Sequence, residues 1–155
     1  MKKTLLILAA IFIATNLFSQ DLDSLLNKTI NDVNKVFIDN GEEPIKIDNG
    51  VFKRAAEDYL KSWEQDKKYV ADLIEFSEKH GVVIPYIRFV SGTNKDELVT
   101  KIVKVINDGH FKTSSRSLDF GFAITTDEWN YHYYINIVIG YPGDIKKTCY
   151  YNKSM

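Results

Sequence analysis

Apolar residues are spaced unevenly along the chain, and the spacing changes character several times. Between Leu5 and Phe18, twelve of fourteen residues are apolar, broken only by Thr15 and Asn16. From residue 21 to 38 the run loosens into Leu22, Leu25, Leu26, Ile30, Val33 and Phe37, which is a helical period. Asn40-Gly41 ends that helix, because glycine takes the left-handed closing conformation without strain. Residues 44–47 form a short extended link. Asp48 or Asn49 can cap a second helix, whose buried stripe reads Val51 or Phe52, Ala55, Tyr59 and Trp63. A third helix is expected over residues 69–79, with Val70, Leu73 and Ile74 inward and His80-Gly81 closing it.

The later half changes period. Residues 82–90 read as an extended run containing Pro85, which cannot donate a ladder hydrogen bond, so this is an edge strand or an interrupted one. Asn94 with Glu97 three residues on resembles a capping box. The helix that follows turns Leu98, Ile102, Val105 and Ile106 inward and stops at Gly109. Residues 120–125 and 131–140 then alternate as two strands around a turn, a hairpin. Helices at the front and strands at the back predict an α+β fold. A three-layer α-β-α sandwich, with helices on both faces of a small antiparallel sheet, buries every stripe.

Charge and composition refine this picture. Lys2 and Lys3 precede the apolar run and Ser19-Gln20 follow it, the layout of a secretory signal peptide over residues 1–19. The run is shorter than the ~20 residues a spanning helix needs. Residues 20–155 are then a single domain, secreted or periplasmic, with no membrane span after cleavage. That domain carries 18 basic and 21 acidic residues, and this balance excludes a nucleic-acid partner. Its one cysteine, Cys149, cannot form an internal disulfide, so the core must hold the fold. A monomer is expected.

Candidate chemistry is sparse. No glycine-rich phosphate loop or paired-cysteine motif is present, and no cofactor is implied. Ser114 and Ser115 near His110 lack a nucleophile-elbow sequence. The adjacent acids Glu57-Asp58 and Asp96-Glu97 point about 100° apart on a helix and do not converge. On the last strand Tyr131, Tyr133 and Ile135 share one side. His132, Tyr134 and Asn136 share the other, a polar-aromatic strip that can serve as a partner surface. Six of the nine tyrosines, Tyr131, Tyr133, Tyr134, Tyr141, Tyr150 and Tyr151, crowd the end of the chain and supply contact area at low entropic cost.

Two stretches resemble the CAP superfamily, which contains cysteine-rich secretory proteins, venom antigen 5 and plant pathogenesis-related proteins. Over residues 34–60, Asn34, Gly41, Pro44, Ile45, Asp48, Val51 and Ala55 fall in the family's register without a gap. Gly109-His110 and Gly121 match the family's helix-ending Gly-His pair and its glycine-bearing strand, and residues 131–140 match its last core strand. The resemblance implies a cleft lined by two His and two Glu, sometimes with a divalent metal. Only His110 has a counterpart here. Val33 and Phe37 replace the first helix's His and Arg. The other cleft positions fall near Lys68 or Tyr69, Ile87 or Arg88, and residues 104–107.

One His cannot hold a metal, so no metal and no catalytic residue is expected. The expected function is binding of a small ligand or a partner protein through a cleft lined by His110, Asn34, Tyr69 and Arg88. Two alternatives stand beside it: a secreted hydrolase using His110 as general base, or an exported inhibitor or immunity-type protein of unrelated fold.

Overall fold

The computed structural model describes residues 2–109, 111, 118–127 and 131–142, with side chains from residue 21 onward. His110, Ser114, Ser115, Cys149, Tyr150 and Tyr151 lie outside the described residues. Helix α1 (Lys2–Asp39) contains the helix expected over 21–38 as its second half. Strand β1 (Lys46–Ile47), helix α2 (Val51–Gln65) and helix α3 (Leu73–His80) follow. Strand β2 (Val83–Gly92), helix α4 (Lys95–Asp108), strand β3 (Asp119–Thr126) and strand β4 (Tyr133–Tyr141) complete the order.

The strands form one sheet in the order β1-β3-β4-β2. The α+β layers are as the sequence predicts. The sheet, however, is mixed, because β1 pairs parallel to β3 while β3-β4 and β2-β4 are antiparallel. The extended link at 44–47 is thus a short edge strand. Lys46 stands opposite Asp119, and their side chains form an ion pair at 2.7 Å.

Strand alternation divides the interior into two cores. Phe120, Phe122, Ile135, Ile137 and Ile139 point to one face and pack against Val33 and Phe37 of α1 and Leu98, Ile102 and Ile106 of α4. Ala123 and Val138 point to the other, against Phe52, Ala55, Ala56 and Leu60 of α2 and Phe76 of α3. Ile84 and Ile87 both belong to this second core although three residues apart. An irregularity in the β2-β4 register between Val83 and Tyr86, around Pro85, permits it. Burial of these apolar side chains, at roughly 1.5–3 kcal/mol each, is the dominant favourable contribution to the fold.

Local signals fix the ends of the elements. Gly41, with φ 75°, closes α1, and Glu42 N–H bonds back to Phe37 O at 2.8 Å. Asp48 donates its backbone N–H to Phe120 O on β3 while its carboxylate accepts from Phe52 N–H at 2.7 Å. Of the two expected caps, Asp48 is therefore the one that holds the start of α2, and it fixes that start against the sheet.

The third helix is where expectation and structure part. It begins at Leu73, because the Asp72 carboxylate accepts from the N–H groups of Ile74 and Glu75 and caps it there. Its buried residues are Phe76 and Ser77. Val70, Leu73 and Ile74, expected inward, are exposed at 83%, 38% and 70%. In so short a helix only the carboxy-terminal half reaches β2. There the Ser77 hydroxyl accepts from Ile84 N–H at 3.0 Å and donates to Ile84 O at 3.4 Å.

At α4 the expected cap forms, with Asn94 Oδ1 accepting from Glu97 N–H at 3.0 Å. Glu97 reaches back to the Thr93 N–H and hydroxyl and pairs with Lys101. The Lys101 ammonium and the Thr93 donors hold its carboxyl down at about 2. A carboxyl with a depressed folded value contributes stability that is complete above its unfolded value and is lost as pH falls towards about 2. Glu97→Gln is therefore expected to flatten the pH dependence of stability between about pH 5 and 2. Urea midpoints across that range, compared with the unsubstituted chain, check it.

Candidate functional site

Of the sequence-predicted cleft residues, His110 lies outside the described residues, and Asn34, Tyr69 and Arg88 are not gathered together. Asn34, on α1, accepts from Ile45 N–H at 2.9 Å and ties the link to the α1/α4 layer. Tyr69, in the α2-α3 connection, lies on the opposite face of the sheet. Its ring stands 5.3 Å from Tyr59, which meets Phe76 of the second core. Its carbonyl accepts from the Tyr59 hydroxyl at 3.4 Å. Arg88 is exposed on β2, its guanidinium 5.4 Å from the Tyr86 ring, which in turn packs against Phe111 of the α1/α4 core.

The strip expected on the last strand is divided by burial. His132 is exposed, and its Nδ1 lies 3.6 Å from the Asp127 carboxylate. Tyr134 is half-buried between Trp63 and Phe89, at ring separations of 5.1 and 5.9 Å. Asn136 is not part of a surface. It is fully buried at 0% and donates from Nδ2 to Ala56 O at 3.0 Å. The reason is α2: Ala55 and Ala56 let that helix lie close over the face the strip occupies.

Two other arrangements stand out. On the α2/α3 layer, the His80 ring packs against Phe76 at 4.7 Å with Nε2 3.5 Å from the Asp58 carboxylate. Lys79 pairs with the same carboxylate at 2.9 Å. Burial pushes the His80 imidazole below its ordinary value; Asp58 opposes the shift, and Lys79 and Arg54 add to it. His80 is thus packed on Phe76 beside the Asp58 carboxylate at the end of α3.

The second arrangement is the outer edge of β2. This edge strand presents Tyr86 and Arg88 to solvent. Arg88 Nη1 donates to Ile87 O at 3.1 Å, and Lys101 Nζ donates to Ser91 O at 2.6 Å. Pro85 marks the edge in the sequence, but nothing there marks the cations that line it. Among the described residues no group of three or more His, Cys, Asp or Glu can hold a metal ion. Among the same residues no helix is long and apolar enough to cross a membrane.

No family sequence model matches the chain, and no curated protein matches it in sequence. Solved structures do match in fold. An outer surface protein of Borrelia burgdorferi superposes with a TM-score of 0.57 at 8% identity, over 76% of this chain and 93% of that one. A cysteine-rich secretory protein of Staphylococcus aureus superposes with a TM-score of 0.54 at 16% identity, over 76% of this chain. This chain spans 38% of the staphylococcal one. Two helical layers enclosing a four-stranded sheet, shared with a cysteine-rich secretory protein, make the fold CAP-like.

Proposed function

We propose that the chain is an exported CAP-like domain, residues 20–155 after a signal peptide over 1–19, which acts by binding a small ligand or a partner protein rather than by catalysis. One observation supports the binding reading above the others. The positions nearest the family's first cleft His and a cleft Glu, Lys68 or Tyr69 and Ile87 or Arg88, carry neither a His nor a carboxylate. None of the four is a metal ligand at neutral pH, Tyr69 is engaged in packing against Tyr59, and Ile87 packs on the second core. Export is supported by the basic-apolar-polar start of the sequence. It is also in keeping with the fold's occurrence in an outer surface protein and a secretory protein.

Zinc titration of the chelator-treated protein by calorimetry tests the reading. No tight stoichiometric uptake is expected. One-to-one binding that disappears in His110→Ala would overturn it and return the chain to the metal-dependent members of the resembled family.

A further inference from the structure

The free edge of β2 has a backbone register that can be read from its neighbours. Phe120 O accepts from Asp48 N–H at the β1 side of β3. The even-numbered residues of β3 therefore bond towards β1 and the odd-numbered ones towards β4. Since Gly121 stands opposite Val138 and Ala123 opposite Asn136, β4 bonds to β3 through its even-numbered residues and to β2 through Ile135, Ile137 and Ile139. Their partners on β2 are Val90, Arg88 and Tyr86. Ile87, Phe89 and Ser91 then direct their N–H and C=O groups away from the sheet.

Those outward groups are not equally engaged. Ile84, on the far side of the irregularity at Pro85, has both groups held by the Ser77 hydroxyl, so α3 closes that end of the edge. The Ile87 and Ser91 carbonyls are held by the Arg88 and Lys101 side chains. Phe89 lies between them, and among the described residues no side chain bonds to its N–H or C=O. Lys104 is exposed one turn beyond Lys101 on α4.

We propose that the β2 edge, over residues 87–91, captures an extended, acidic segment of a partner protein by strand addition. Backbone pairing centred on Phe89 supplies the ladder, and Arg88, Lys101 and Lys104 receive acidic side chains flanking it. The same cations select against a second copy. A two-fold pairing about Phe89 would bring two rows of like charge along one seam, which is repulsive. Lys101 is shared with Glu97, so Arg88 and Lys104 carry most of the selection. This proposal rests on the binding reading above and names the class of partner. Zinc uptake tests the parent reading independently, so the two can fail separately.

The test uses the full chain and a blocked octapeptide of alternating Glu and Val. An alternating Lys and Val peptide and a backbone N-methylated copy of the acidic peptide serve as controls. The acidic peptide is expected to bind at least about tenfold more tightly than the lysine peptide, and the N-methylated copy to lose binding. Hydrogen exchange at the Phe89 amide should slow when the acidic peptide is added. The exposed double variant Arg88→Glu/Lys104→Glu, with an unchanged circular dichroism spectrum, should reverse the peptide preference. Equal affinity for both peptides, or a Phe89 amide left unprotected at saturation, would overturn the proposal. Protection of that amide without peptide, rising with protein concentration, would overturn it in favour of a second copy.

Discussion

Gly121→Ala is expected to unfold the domain or cost more than about 3 kcal/mol, larger than most single substitutions. A Cβ on Gly121 would sit 2.1 Å from both the backbone C and O of Phe52 and 2.6 Å from Lys53 N. The obstacle is the first turn of α2, not the end of a flexible side chain, so relief requires the helix to lift from the sheet. That movement would pull Phe52 and Ala55 out of the second core and strain the Asp48 contacts that hold the helix start. The strand is otherwise indifferent to the change, since alanine suits an extended backbone as well as glycine. Urea denaturation, or a loss of soluble folded protein, reads the effect. A midpoint within 0.5 kcal/mol of the unsubstituted chain would show that α2 does not lie where described.

Ile137→Ala is expected to cost about 2–5 kcal/mol. Ile137 is fully buried at the middle of β4, opposite Phe122 on one side and Arg88 on the other. It points into the core that α1 and α4 close. Strands pin the backbone on both sides, so neighbours have little freedom to collapse into the space, and the upper half of the range applies. The substitution leaves the ladder hydrogen bonds in place. The comparison with Ile137→Val, expected to cost about 0.5–1.5 kcal/mol, isolates the cavity. A near-zero change for the alanine variant would mean that the two helices on this face do not seal it.

Much of this architecture was legible in the sequence where several signals agreed. At α4, the cap at Asn94, the spacing of Leu98, Ile102 and Ile106, and the stop at Gly109 all coincide. Pro85 indicated an edge strand or an interrupted one, and β2 is at the edge with its register broken between Val83 and Tyr86. β1 was not legible as a strand, because two residues carry no period. At α3 the spacing of Val70, Leu73 and Ile74 imitates a buried stripe, but Asp72 caps the helix in the middle of it. Periodicity reports which residues share a face, not whether anything covers that face.

The site was less legible for a related reason. Alternation placed Tyr134 and Asn136 together correctly, yet could not say that α2 would cover them. Asn136 looked like a surface residue because it is polar, yet it is buried and its Nδ2 donates to Ala56 O. The edge of β2 was beyond periodicity altogether, since it depends on which strand lies last in the sheet. His110, on which the resemblance places most weight, lies outside the described residues.

The eleven residues from Asn40 to Gly50 join α1 on one face to α2 on the other. Asn34 holds Ile45 on one side of this passage, and Asp48 holds the first turn of α2 on the other. Between these two grips, Lys46 and Ile47 complete the sheet beside β3. The two cores are separated by the sheet, and each could in principle loosen as its own unit. The clasp at β1 makes that costly, because fraying of either layer disturbs a strand that both layers use. It binds the two half-cores into one cooperative unit, the mechanical service that disulfides perform in many exported domains, here supplied by one asparagine, one aspartate and a two-residue strand.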